Sequence, residues 1–309
     1  MKNPVRHGIL ATVGQTPLVR LTALEPSGDL EVHAKLERFN PTGSIEDRTA
    51  LDLLVAPIRS GEIVPGQPVV LEADSGNLAI SLAQTCRYYG IDLHLVVEAD
   101  TATAWHRAML KAFGARVELV HAAHDQAQLS RLADALAATL PGAYRPPRGR
   151  WTSPEGVLMR EIREGLTTEP HYVFCPTSSA VALRNVIAHI RVNRLATTVV
   201  AVADDPAAPH PASFGLSPAD LVVAVDELDV VAGCRRLLGR EGLLAGRSSG
   251  AVVAALAQLR GQLEAGAVCV LVLPDGGDRY AETIYSDAWV ESRVGTVPEL
   301  QLAYQEASR

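Results

Sequence analysis

Lysine is nearly missing from this chain: of 309 residues, only Lys2, Lys35 and Lys111 carry that side chain. Chemistry that starts from a side-chain amine therefore has three candidates. Positive charge is scarce as a whole, with Lys+Arg 28 against Asp+Glu 35 and a formal net charge of −7. That balance argues against a nucleic-acid surface. Uninterrupted apolar runs such as 267–273 are far shorter than the roughly 20 residues of a membrane-crossing helix. No charged, apolar and small-residue triplet opens the sequence, so we expect a soluble, cytoplasmic protein with no membrane association. Cys86, Cys175, Cys234 and Cys269 lack paired spacing and read as reduced core thiols, outside any disulfide framework or metal site. His121 and His124 are spaced like metal ligands but have no third candidate nearby, so no metal is expected. Repeats and low-complexity tracts are missing, apart from a loose proline- and alanine-rich segment at 204–218.

What is present is ample apolar material, 48% of the residues, enough for two packed lobes. Strand-like runs at 69–73, 93–97, 116–120, 172–175, 199–202, 221–225 and 268–273 alternate with helical stretches at 78–89, 104–113, 126–140, 181–192 and 250–263. The fold class this predicts is α/β, with mostly parallel sheets flanked by helices. The breakers Pro141-Gly142 and Pro146-Pro147-Arg148-Gly149 mark the best linker. One lobe is placed at 40–148, and the other at 1–39 with 149–309.

The segment Pro41-Thr42-Gly43-Ser44-Ile45-Glu46-Asp47-Arg48 resembles the Pro-Gly-Ser-x-Lys-Asp-Arg turn of the cysteine synthase and cystathionine β-synthase family. These are fold type II pyridoxal-phosphate enzymes with a tryptophan synthase β-like architecture. The resemblance continues in order through Gly14-Gln15-Thr16-Pro17-Leu18, Ser75-Gly76-Asn77, Leu110-Lys111-Ala112-Phe113-Gly114 and Gly242-Leu243-Leu244-Ala245-Gly246-Arg247-Ser248-Ser249-Gly250. The tail Leu273-Pro274-Asp275-Gly276-Gly277-Asp278-Arg279-Tyr280, with Tyr285-Ser286-Asp287-Ala288-Trp289, is most similar to a branch that joins O-phosphoserine to glutamate in siderophore pathways. In the family, the lysine of the first motif holds pyridoxal phosphate as an imine. Glu46 stands there, and a carboxylate cannot form a Schiff base.

Other departures accompany it. Where the resemblance implies a glycine-rich cup for the cofactor phosphate, this chain has Thr177-Ser178-Ser179-Ala180; Ser178 and Ser179 read either as anion donors or as an ordinary helix cap. Gly276 stands where many relatives place a serine against the pyridine nitrogen, and Gly276-Gly277 reads as a tight turn. Lys35 reads as a surface or strand-edge lysine, or as a relocated anchor. Glu46 either pairs with Arg48 or another arginine, or acts as a general base. Trp105-His106-Arg107 reads as an exposed helix face. The 145–151 stretch, with Arg145, Arg148 and Arg150, reads as a solvated linker or as a contact for an acidic partner or a phosphorylated substrate.

Ser75, Gly76 and Asn77, at a strand-to-helix junction, form the candidate cradle for a substrate carboxylate, with Gln15 and Thr16 beside them by resemblance. Arg247, Ser248 and Gly276 are expected pocket-lining residues. The resemblance implies a homodimer. The function expected is a pseudoenzyme, or a protein binding a small amino acid or the C-terminal tail of a protein partner. The alternatives are a pyridoxal-phosphate-independent enzyme using Glu46, and a β-replacement synthase acting on O-phosphoserine or O-acetylserine with noncovalent or relocated pyridoxal phosphate.

Overall fold

In the computed structural model the described residues are 6–73, 76–99, 103–121, 126–146, 156–203, 215–217 and 220–294. In chain order they form β1 (Leu18–Arg20), β2 (Glu31–Leu36), α1 (Glu46–Ser60), β3 (Pro68–Ala73), α2 (Gly76–Tyr89), β4 (Asp92–Glu98), α3 (Ala104–Phe113), β5 (Arg116–Val120) and α4 (Gln126–Thr139). There follow α5 (Val157–Gly165), β6 (Tyr172–Pro176), α6 (Ala180–Val192), β7 (Thr198–Ala203), β8 (Leu221–Ala224), α7 (Glu227–Glu241), α8 (Arg247–Leu259), β9 (Val268–Leu273) and α9 (Asp287–Arg293). Among these residues no helix is long and apolar enough to cross a membrane.

The chain divides into two compact units, Met1–Val13 with Asn40–Thr152 and Gly14–Phe39 with Ser153–Arg309. Residues 1–13 thus go with the first unit, whereas the sequence reading had kept all of 1–39 in the second. The expected linker at 141–149 also moves inward. Tyr144 bridges Val69 of β3, and Arg145 is largely buried, paired with Glu72 and with Asp134. Pro147 to Trp151 lie outside the described residues, so Arg148 and Arg150 receive no structural account.

The first unit holds the parallel sheet β3-β4-β5. Val69, Leu71, Leu93 and Leu95 fill one face against Leu54, Ile80, Leu82 and Leu110. Val70 and Val96 pack on the opposite side against Leu129 and Ala133 of α4. Strands covered on both faces need continuous rather than alternating apolar runs, which is how β3 and β4 read. β5 has one paired neighbour and leaves Arg116 and Glu118 exposed.

The second unit carries the six-stranded sheet β1-β2-β9-β6-β7-β8. All its pairings are parallel except β1 with β2. β9 lies inside the sheet, and all six of its residues are buried. The α7–α8 pair packs closely because Gly233 and Gly250 face each other: a Cβ on Gly233 would stand 2.1 Å from the Gly250 carbonyl oxygen.

Candidate functional site

The first unit places Glu46, Gly76 and Asn77; the second holds Gln15, Thr16, Thr177 to Ala180, Arg247, Ser248 and Gly276. Glu46 is the first residue of α1, with Ile45 before it offering no side-chain cap. An acidic pair, Glu46 and Asp47, in the first turn suits the positive end of the helix. The turn leading to it depends on Gly43, whose φ of 86° is one a side chain resists, and its amide donates to the Asn40 carbonyl at 2.8 Å. Asp47 closes this turn, accepting from the Thr42 amide at 2.7 Å and from the Thr42 hydroxyl. Thr42 also shares a 3.0 Å hydrogen bond with Ser81 of α2, tying the turn to that helix. Ser44 Oγ is buried with no partner among the described residues.

α2 starts at Gly76, with Asn77 half-buried beside it. Ser75 lies outside the described residues. Against Gly76 stands His106, which sequence reasoning missed: a Cβ on Gly76 would come within 2.3 Å of its ring. The expected exposed face at 105–107 is corrected at His106, which is 8% exposed, while Arg107 is exposed as expected. Thr103, the N-cap of α3, sets its ring through a 2.7 Å bond to His106 Nδ1. His121 is exposed and His124 lies outside the described residues.

In the second unit, β6 runs into the segment 177–179 and then α6, as the resemblance implied. Ser178 is exposed and Ser179 buried. Ser179 occupies the N-cap position of α6, yet its side chain makes no capping hydrogen bond, so the ordinary-cap reading of Ser179 is corrected. Ser178 Oγ meets Ser248 Oγ at 2.9 Å, bringing the beginnings of α6 and α8 together. Thr177 Oγ1 and Ser249 Oγ are buried without a hydrogen-bond partner among the described residues. Buried hydroxyls are seldom left unsatisfied, and two helix starts supply donors and positive potential. Arg247, first in α8, forms an ion pair with Glu227, first in α7.

Gly276 is not in a tight turn. Its φ of −89° and ψ of 159° are extended, and it bridges Ala245. Space dictates the glycine: an added Cβ would meet Asp278 at 2.5 Å and the Arg38 guanidinium at 3.3 Å. Arg38, also missed from sequence, is held by the Leu244 carbonyl at 2.6 Å. Next to Gly276, buried Asp275 accepts from Tyr280 at 2.9 Å. Burial first, then this carboxylate, pushes the Tyr280 phenol well above its ordinary pKa.

The surface or strand-edge reading of Lys35 is overturned. It is 1% exposed, on a strand paired on both sides, with its ammonium 2.7 Å from Glu161 and 2.6 Å from the Thr16 carbonyl oxygen. Thr16 in turn donates to buried Glu37 at 2.7 Å. Lys111 is exposed on α3, and Lys2 lies outside the described residues.

Two sheets, parallel but for the β1–β2 pair and flanked by helices, with motif-bearing turns at strand-to-helix junctions, define a fold type II pyridoxal-phosphate enzyme architecture. The family model described as pyridoxal-phosphate dependent enzyme matches residues 9–275, and the chain belongs to that family. Among solved structures it is similar to O-ureido-L-serine synthase, at 28% identity over 97% of this chain and 100% of that one, with a TM-score of 0.78. A lysine-to-alanine mutant of that synthase, with O-ureido-L-serine bound, matches at 27% identity over 98% of this chain and 99% of that one, TM-score 0.79. O-acetyl serine sulfhydrylase isoform 3 from Entamoeba histolytica shares the fold at 24% identity, covering 100% of this chain and 98% of that one, TM-score 0.77.

Proposed function

We propose that this protein is a cysteine-synthase-like member of the family in which covalent pyridoxal-phosphate catalysis is disabled, and that it binds a small anionic amino acid of the serine-derivative class. Glu46 carries the reading. It opens α1 at the end of the Asn40–Gly43 turn, within the motif whose lysine makes the imine in the relatives it resembles. Pyridoxal phosphate supplies an electron sink for amino-acid carbanions when it is bound. The residues present do not fit a covalently anchored cofactor, because a carboxylate offers no nitrogen to its aldehyde. Nor does another lysine stand in among the described residues: Lys35 is committed to Glu161 in the core, and Lys111 is exposed on α3. At Gly276 a side chain would first meet the Asp278 carboxylate and then the Arg38 guanidinium, which would both have to shift to admit the serine seen in many relatives.

The ligand-binding half of the proposal rests on what each unit keeps by itself. In the first, the start of α2 retains Gly76 and Asn77; in the second, taken separately, the unsatisfied Thr177 and Ser249 hydroxyls favour an anionic or hydroxyl-accepting ligand group. The relative in which an alanine replaces one lysine holds O-ureido-L-serine, so a serine derivative stays bound in this fold when that one lysine is removed. The tail at 273–289 makes O-phospho-L-serine the first ligand to test. The same two hydroxyls favour a second reading, in which pyridoxal phosphate itself is held noncovalently and β-replacement on a serine derivative survives.

Retention of pyridoxal phosphate by the protein on dialysis separates these readings, being expected only in the second, and visible absorbance after its addition tests for a covalent anchor. The parent protein is expected to show no imine band, and a band there would overturn the proposal. Glu46→Lys run alongside locates the defect. A gained band means that only the amine was missing; a colourless variant puts the phosphate side, at 177–180, at fault as well.

A further inference from the structure

The strongest unexplained feature of the second unit is the turn at 14–16. Gln15 is exposed, yet its φ is 49°, and the preceding Gly14 has a φ of 80°. Glycine takes this left-handed region freely; glutamine resists it. Backbone strain of this kind persists only where the surroundings over-determine it, and it clusters at ligand clamps.

Three consecutive residues fix the backbone that immediately follows Gln15. Lys35 Nζ donates to the Thr16 carbonyl at 2.6 Å, the Leu36 amide donates to the Pro17 carbonyl at 2.9 Å, and Glu37 Oε1 accepts from Thr16 Oγ1 at 2.7 Å. Lys35 and Glu37 are 1% and 0% exposed. Glu161, on α5, pairs with the same ammonium at 2.7 Å. Burying an ion pair seldom stabilises more than a well-packed apolar pair of similar size. The charge at Lys35 therefore calls for a use, and the donor it presents to Thr16 is the one the geometry offers.

We propose that Lys35 and Glu37, backed by Glu161, are positioning residues: they hold Gln15 in its left-handed conformation so that the turn at 14–16 meets the amino-acid ligand in one fixed shape. The ligand half of this statement rests on the function proposed above; the conformational half does not. The only lysine described in the protein core thus shapes a loop and anchors no cofactor.

The test is the double variant Lys35→Met/Glu161→Leu, which removes the donor together with the carboxylate it pairs with. Three readouts are taken: its unfolding midpoint, its crystal structure at Gln15, and its calorimetric affinity for O-phospho-L-serine. The expectation is a folded protein in which Gln15 leaves the left-handed region and affinity falls about ten- to hundredfold. Adding Gln15→Asn should recover part of that loss, because asparagine adopts the left-handed region more readily. A folded double variant with φ of Gln15 still positive, or with affinity unchanged after the turn has moved, overturns the proposal. If the double variant does not fold, Gln15→Asn alone decides: relief of strain should raise the parent midpoint, and no rise counts against the idea. Failure of the parent protein to bind O-phospho-L-serine counts against the proposed function, while φ of Gln15 still decides the positioning.

Discussion

At residue scale, the contact between Gly76 and His106 shows how much depends on a missing side chain. The first residue of α2 has its imidazole neighbour where a Cβ would be. Gly76→Ala is therefore expected to lower the unfolding midpoint, at a cost of about 1–3 kcal/mol for overpacking. In a His106→Ala background the same change should cost far less, since the ring is the obstacle. Equal losses in both backgrounds would show that the glycine is needed for something else. None of this is legible in the sequence. Gly76 reads as part of a helix start and His106 as one of three surface residues, because the pairing of α2 with α3 that joins them is tertiary. Lys35 is a similar case: nothing near it in sequence announces Glu161 on α5, and an isolated lysine in a strand pattern reads by default as exposed.

At the scale of elements, the strands were readable and several helices were not. β3, β4, β6, β7 and β9 are buried along most of their length and write themselves as mainly apolar runs rich in Val and Leu, without the alternation of a half-exposed strand. α5 is nine residues long with four charged side chains, too short for a periodic pattern to stand out. α1 contains Pro57, which punctuates the pattern as a helix breaker does, although the helix runs through it to Ser60. α7 was also missed, and its two interior glycines make different demands. Gly233 faces the Gly250 carbonyl, whereas nothing lies within 4 Å of a Cβ built on exposed Gly239. Gly233→Ala should destabilise the second unit by about 1–3 kcal/mol. Gly239→Ala should stabilise it by roughly 0.5–1 kcal/mol through helix propensity alone. Denaturant unfolding of the two variants checks both signs, and a loss at Gly239 would mean that α7 makes a contact there which the described residues do not contain.

At the scale of the whole molecule, the thiols report on the two units separately. All four cysteines are free and buried: Cys86 in the first unit, and Cys175, Cys234 and Cys269 in the second. Burial pushes the Cys86, Cys234 and Cys269 thiols up to about 12 from 9.0, because an apolar interior disfavours the thiolate. A group whose pKa is raised on folding contributes stability that is complete below its unfolded value and is lost as pH rises through its folded one. These three thiols should therefore make the protein base-labile, with the unfolding midpoint falling between pH 9 and about 12. Cys86→Ala, Cys234→Ala and Cys269→Ala together should flatten that fall, even if each lowers the midpoint at neutral pH by leaving a small cavity. Near pH 8 the native protein should react negligibly with a thiol reagent, since the nucleophile is the thiolate. As denaturant is raised, Cys175, Cys234 and Cys269 should become reactive together, because all three sit in the sheet and helices of the second unit. Cys86 should follow the opening of the first unit's core around Leu71, Ile80 and Leu95, on a denaturant dependence of its own. Site-resolved labelling followed by mass spectrometry reads all four positions at once, and early reaction of any one of the three second-unit thiols would show that this unit does not open as a single cooperative body.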